Sequence, residues 1–248
     1  MRLGVIFAVL VSALAAPAGA AELRLIAATA LKDALEPLVR EFEGQSGHNV
    51  RLVFSGTVAT RDRIRQGEMA DVVLIGADAL ESLIDNGLLQ RDGRRDIARS
   101  GLGAGQRAGF PVPDISSAEA LQRIIRASQS LAFSRGPSGE HVEALMRRLG
   151  LADEIGSKTR RPNSGAEVAR LVGSGEAEFG IAQVSEFIGI PGVTNLGPLP
   201  PSLQAWTIYA AAVHGKTGNQ EASTKLINHL SGASAERAIR SIGMEPVR

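Results

Sequence analysis

An α/β fold is what this sequence predicts, and three observations predict it. From Leu23 onward, short β-rich runs alternate with amphipathic segments of helical period. Turns rich in Gly, Ser, Thr or Asn fall at the carboxyl ends of predicted strands, and each feeds a helix. The chain has 248 residues, 44% hydrophobic and 21% charged, enough for a sizeable core in one large domain or in two lobes.

The first segment stands apart from this pattern. Arg2 is a short positive region, Leu3 to Ala16 is an apolar run, and Ala18-Gly19-Ala20 supplies a small-x-small cleavage pattern before Glu22. Residues 1–21 therefore predict a cleavable signal peptide and an exported mature chain beginning at Ala21 or Glu22. The apolar run is shorter than the roughly 20 residues that span a bilayer, and no later segment is apolar for long enough, so no membrane insertion is expected after cleavage.

The mature chain opens β-α-β-α-β-α. Leu23 to Ala27 reads as a strand, and Leu31, Leu35, Leu38, Val39 and Phe42 recur at helical spacing until Gly44 and Gly47. Val50, Leu52 and Phe54 alternate as a strand, Ser55-Gly56-Thr57 is a loop, and a short basic helix carries Arg61, Arg63 and Arg65. Asp71 to Ile75 is a buried strand, followed by a helix with Leu80, Leu83 and Ile84 that Gly87 closes. A Gly- and Pro-rich connection from Gly101 to Pro113 leads to a second series. There Ser116 and Glu119 predict a capping box before a helix bearing Leu121, Ile124 and Ile125. Leu131 to Phe133 is a short strand, Gly136-Pro137-Ser138-Gly139 opens a helix with Val142, Leu145, Met146 and Leu149, and Asn163-Ser164-Gly165 opens one with Val168, Leu171 and Val172. Phe179 to Ala182 is strand-like, and the run Trp206 to Val213 is long enough to leave one lobe and enter another. Helices around Leu226 to Leu230 and Ala235 to Ile242 finish the chain.

Composition excludes several function classes. Lys plus Arg number 27 against 26 Asp plus Glu, a formal net charge of +1, and removing Arg2 leaves 26 of each. With no block of basic residues, nucleic acid is excluded as a partner. The absence of Cys excludes thiol catalysis and thiolate metal sites, and there is no His/Glu cluster at metal spacing, no phosphate loop and no Gly-x-Ser-x-Gly elbow, so neither metal nor cofactor is expected. Trp206 and Tyr209, on the crossing strand, are assigned to the core. What remains informative is where the loops fall. Ala28-Thr29-Ala30, Ser55-Gly56-Thr57, Gly136-Pro137-Ser138-Gly139 and Asn163-Ser164-Gly165 each precede a helix whose first N–H groups are unpaired and whose dipole end is positive. Such loops cap their own helices; converging on one crevice at the strand ends, they would also bind a small anion.

The phrases Ile26-Ala27-Ala28-Thr29-Ala30-Leu31-Lys32-Asp33-Ala34-Leu35, Phe54-Ser55-Gly56-Thr57 and Gly67-Glu68-Met69-Ala70-Asp71-Val72 resemble the periplasmic molybdate-binding proteins of ABC importers. The likeness continues through Gly175-Glu176-Ala177-Glu178-Phe179-Gly180-Ile181 to Gly243-Met244-Glu245-Pro246, nearly the whole mature chain. It implies a two-lobed type II periplasmic binding protein fold, each lobe a mixed sheet flanked by helices, with the ligand in the cleft between them. Residues 22–100 would form the first part of lobe 1, residues 101–204 lobe 2, and residues 205–248 the return strand and C-terminal part of lobe 1. The resemblance further implies a monomeric periplasmic receptor that delivers a small anion, molybdate-like or a small carboxylate, to an ABC permease.

Carried over residue by residue, the family's oxyanion site changes character. Its first serine falls on Ala30, with Thr29 adjacent, and its second on Thr57, which keeps a hydroxyl. Backbone N–H donors fall on Ser138 and Gly165, and the family's tyrosine falls on Gln183. In addition, Gln106 to Ser116, Gly189-Ile190-Pro191-Gly192-Val193 and Gly197-Pro198-Leu199-Pro200 are similar to a branch that includes bacterial aconitate isomerase. This second likeness implies an organic-acid ligand and, as the alternative activity, interconversion of trans- and cis-aconitate. Arg61 and Arg135 are the candidate carboxylate forks, His141 is the candidate proton carrier, and Glu140 and Glu186 are the nearest carboxylates.

Overall fold

Strand β1 (Glu22–Ala28) lies between two parallel partners, β2 (Asn49–Ser55) and β3 (Val72–Gly76), in the computed structural model, which describes residues 19–247. The apolar run of the expected signal peptide lies outside the described residues. Parallel neighbours need a crossover, and α1 (Lys32–Ser46) and α2 (Thr57–Arg65) supply it. β1 and β3 are buried on both faces, as their unbroken Leu, Ile and Val runs require. Leu23, Leu25 and Ala27 face a core shared with α1, α8 (Gln220–Leu230) and α9 (Ala233–Ser241), while Ile26, Val73 and Ile75 face α2 and α3 (Ala77–Asp85). Gly47, at φ 70°, ends α1 in the left-handed conformation. Gly44 lies inside that helix and does not end it.

The second sheet grows out of the first. β9 (Trp206–Val213) pairs antiparallel with β3, and β4 (Arg95–Arg107) pairs antiparallel with β9, giving the order β2-β1-β3-β9-β4. Residues 95–101 of β4 pair with β9, whereas residues 102–106 pair with β7 (Phe179–Gln183) and residues 103–107 with β8 (Val193–Pro198). From β7 the second sheet continues in parallel through β5 (Leu131–Ala132) to β6 (Thr159–Arg160). Helices α4 (Ala118–Ala127), α5 (Pro137–Arg148) and α6 (Ala152–Ile155) cover one face of it, and α7 (Gly165–Ser174) the other. β10 (Glu245–Pro246) adds to the first half of β4. Two lobes thus share one strand, the architecture of type II binding proteins.

Three expectations change. The Gly- and Pro-rich stretch from Gly101 is not wholly a connection; its first part, Gly101 to Arg107, is the second half of the inter-lobe strand β4. Its glycines are there for packing. A Cβ on Gly103 would stand 2.8 Å from Val184 Cα, and one on Gly105 would stand 2.5 Å from the Phe187 ring. Both neighbours belong to the short 3-10 turn Val184–Phe187, which lies directly on the strand. The predicted capping box is displaced by one residue, because Ser117 caps α4 by accepting from Ala120 N at 3.2 Å, while Ser116 N–H turns to Asp114. β6, β8, β10 and α6 have no counterpart in the sequence reading, being short or lying on edges.

Phe187 is almost fully buried between the glycine face of β4 and Val168 and Val172 of α7. Phe187→Ala is expected to cost about 3–5 kcal/mol, read as a lowered urea midpoint with little change in slope.

Candidate functional site

The lobes close on a small inner cavity of about 20 Å³ whose wall includes Thr29, Ala30, Thr57, Ser138, Gly165 and Gln183. The structure therefore brings together these six residues with Ser164 of the predicted loop and with Glu186, one of the two carboxylates named from sequence, and it adds Ser134 and Tyr209. Two larger clefts flank it and share wall residues with it. One, about 420 Å³, is reached past Thr29, Ala30 and Glu186; the other, about 320 Å³, past Thr57 and Pro137. The lobes touch where Gly56 meets the Asn163 carbonyl, 2.4 Å from the position of a Cβ, and where Gly76 meets Pro137, at 3.0 Å.

The helix starts behave as the loop pattern predicts. Gly56, Gly136 and Ser164 are the N-caps of α2, α5 and α7, and a 3-10 turn over Thr29–Leu31 leads into α1. Thr57 Oγ1 accepts from Gly76 N at 3.2 Å, which leaves the hydroxyl proton free to point elsewhere. Ser138 Oγ lies 3.3 Å from Ser134 Oγ, and Ser134 Oγ also accepts from Gly136 N. Ser164 accepts from Glu167 N, and Glu167 accepts from Asn163 N, an arrangement that fixes the start of α7.

The remaining predicted residues fall differently. Ala30 contributes no side-chain donor; its carbonyl accepts from Ser185 Oγ at 2.8 Å, a bond between the lobes. Thr29 Oγ1 donates to Glu186 Oε1 at 2.8 Å, also across the cleft. Gln183 clasps β4 and β9: oriented by its neighbours, its amide nitrogen faces the Ser100 hydroxyl at 2.9 Å and its oxygen accepts from Thr207 Oγ1 at 2.8 Å. The buried Tyr209, expected only to fill the core, lies beside Gln183 and brings a phenol to the cavity wall from β9. Arg61 does not reach the inner cavity. It pairs with Asp62 at 2.9 Å and lines the 320 Å³ cleft with Asp78, Glu140, His141 and Trp206. His141 is likewise in that outer cleft, and Arg135 turns away to the Arg161 carbonyl. No Lys, Arg or His lines the inner cavity.

Glu186 is the carboxylate that does. Burial pushes its carboxyl up from 4.5 to about 7, against the opposing pull of the Thr29 hydroxyl and the backbone N–H groups of Gln183 and Ala166. Tyr209, buried beside it, is pushed well above the usual phenol range by burial and by the Glu186 charge. The sequence pointed to Glu186 as a carboxylate near the cleft, but nothing in the local pattern marked its burial or its hold on two helix starts.

Residues 23–245 match the sequence profile of the bacterial extracellular solute-binding proteins. An aconitate isomerase from a Pseudomonas species is 33% identical over 190 residues, covering 76% of this chain and 72% of that enzyme. Among solved structures, the Azotobacter vinelandii periplasmic molybdate-binding protein superposes with a TM-score of 0.78 at 20% identity, covering 91% of this chain and 100% of that one. A sulfate-binding protein from Mycobacterium tuberculosis gives 0.76 at 17% identity, covering 92% and 87%. At these identities the structural likeness establishes the fold.

The raised carboxyl sets a pH dependence of stability. The folded state binds the Glu186 proton more tightly than the unfolded chain, so this contribution favours folding at low pH and is lost as pH rises from about 4.5 through about 7. Urea titrations of wild type and Glu186→Gln should diverge accordingly. Relative to the variant, wild type should gain about 3 kcal/mol between pH 8 and pH 4.5, and a constant difference would contradict the assignment.

Proposed function

The chain belongs to the bacterial extracellular solute-binding protein family, and from that premise we propose that it is an exported, monomeric receptor that captures a small anion between its lobes and passes it to an ABC permease. The observation that carries this reading is the convergence of the starts of α2, α5 and α7, with the 3-10 turn that leads into α1, on one cavity lined by no cationic side chain. The start of a helix carries N–H groups with no partner inside the helix and about half a positive charge, so several together hold an anion without the cost of burying a guanidinium or ammonium group. In this reading the Thr57 hydroxyl, the backbone N–H groups at Ser138 and Gly165, and the Tyr209 phenol are donors to the ligand. Ala30 and Gln183, which the family pattern would use as side-chain donors, give only wall and hinge contacts. Residues 22–100 with 205–248, and residues 101–204, are the proposed rigid bodies, hinged on β4 and β9.

A small organic polycarboxylate suits the surroundings better than a tetrahedral oxyanion. Its additional carboxylates would extend into the flanking clefts, where Arg61 and His141 stand on one side and Lys32 and Arg170 on the other. The likeness to aconitate isomerase also supports an organic acid.

That same likeness, joined to Glu186, supports a second reading as an isomerase of an unsaturated tricarboxylate. An ionised Glu186 would take a proton from an allylic methylene, breaking C–H and forming O–H while the double bond shifts. It would then return that proton to the other end of the allyl system, with no net change of oxidation state.

A thermal-shift panel of molybdate, tungstate, sulfate, citrate, tricarballylate and both aconitates tests the receptor reading, since a ligand that binds the native state raises Tm. A carboxylate is expected to give the largest shift; no shift with any of them would overturn the reading. Thr57→Ala should weaken binding of the best anion by roughly fivefold or more, the loss of one hydrogen bond. Proton NMR of trans-aconitate incubated with the protein separates the two activities: a receptor returns it unchanged, whereas an isomerase produces the cis form and loses that activity in Glu186→Gln.

A further inference from the structure

The start of α7 already holds an anion that belongs to the protein. The Glu186 carboxylate accepts from Thr29 Oγ1 of the other lobe and lies beside the backbone N–H groups of Gln183 and of Ala166 in the first turn of α7, which favour its charged form. A Cβ on Gly165 would stand 1.4 Å from Glu186 Oε2, so the carboxylate lies directly against the helix end that the family pattern assigns to the ligand. This placement also accounts for the size of the inner cavity, about 20 Å³.

We infer that Glu186 is a tethered anion competing with the ligand for the start of α7, and that the ligand enters when Glu186 takes up a proton. The inference rests on the receptor reading. A second negative charge beside a buried carboxylate strengthens its hold on a proton, and a neutral carboxyl can donate a hydrogen bond to the anion that it would otherwise repel. The groups facing Glu186 do not remove the conflict. Thr29 of the first lobe and Gln183 of β7 are neutral, and Tyr209 of β9 keeps its proton through burial. On the side of the 420 Å³ cleft, Lys32 and Asp33 of α1 oppose each other in sign, and Arg170 of α7 is paired with Glu176 at 2.8 Å. An isomerase, by contrast, needs Glu186 ionised in its complex, so the proton count separates the two readings.

The test is titration calorimetry of the mature protein and Glu186→Gln with sulfate and with trans-aconitate, whose charges stay constant from about pH 6.5 to 8.5. Each titration is run in buffers of different ionisation enthalpy. Wild type should take up close to one proton per anion at pH 8 and lose roughly tenfold in affinity per pH unit above about 7. Glu186→Gln should bind at least tenfold more tightly than wild type at pH 8, with no proton uptake and a flat pH profile. Equal or weaker binding by the variant, or wild-type binding with no proton uptake, overturns this inference alone. Failure of both proteins to bind either anion at pH 6.5 overturns it together with the receptor reading.

Discussion

Everything at the site depends on one strand being shared by two sheets. β4 gives its first half to β9 and its second half to β7 and β8, so each lobe's sheet ends on the same backbone. Its glycines at 103 and 105 then admit the turn Val184–Phe187 at a distance that side chains would forbid. That turn sets Glu186 against the start of α7 and Ser185 against the Ala30 carbonyl of the opposite lobe. An inter-lobe bond, a cleft wall and a buried carboxyl are therefore consequences of one packing arrangement.

The electrostatics follow from placing helix starts, and not side-chain cations, around the cavity. Backbone N–H groups are fixed by the helices they begin and lose little freedom when an anion arrives, whereas a lysine or arginine would have to be ordered and desolvated. The cationic side chains stand in the outer clefts, where water still reaches them. The penalty for this design falls on Glu186, whose burial without a cationic neighbour drives its carboxyl toward neutrality.

Much of this was legible in the sequence because local rules and global fold agree. The period-2 and period-3.6 runs placed β1, α1, β3 and α7 within a residue or two, and the small-residue loops identified the helix starts that line the cavity. The misreadings have a common cause in long-range packing. Gly101, Gly103 and Gly105 have poor strand propensity, and only their neighbours, which are distant in sequence, explain them. That Tyr209 joins Gln183 on the cavity wall has the same origin: which side chains of β7 and β9 reach the cavity depends on how the two strands lie on β4. Arg61 and His141 sit one helical turn or less from cavity residues, yet their side chains open into the neighbouring cleft, a distinction that sequence spacing does not resolve.

Gly56 against Asn163, and Gly76 against Pro137, form the contacts at which the two lobes come to rest. In the proposed receptor they would act as mechanical stops, and their thickness would gauge the gap that remains when the lobes shut. Ligand size in such a molecule is then set in part by residues that never touch the ligand, as the end-stops of a calliper fix its narrowest reading. A lineage could move to larger anions by thickening a stop while leaving every hydrogen-bond donor where it is.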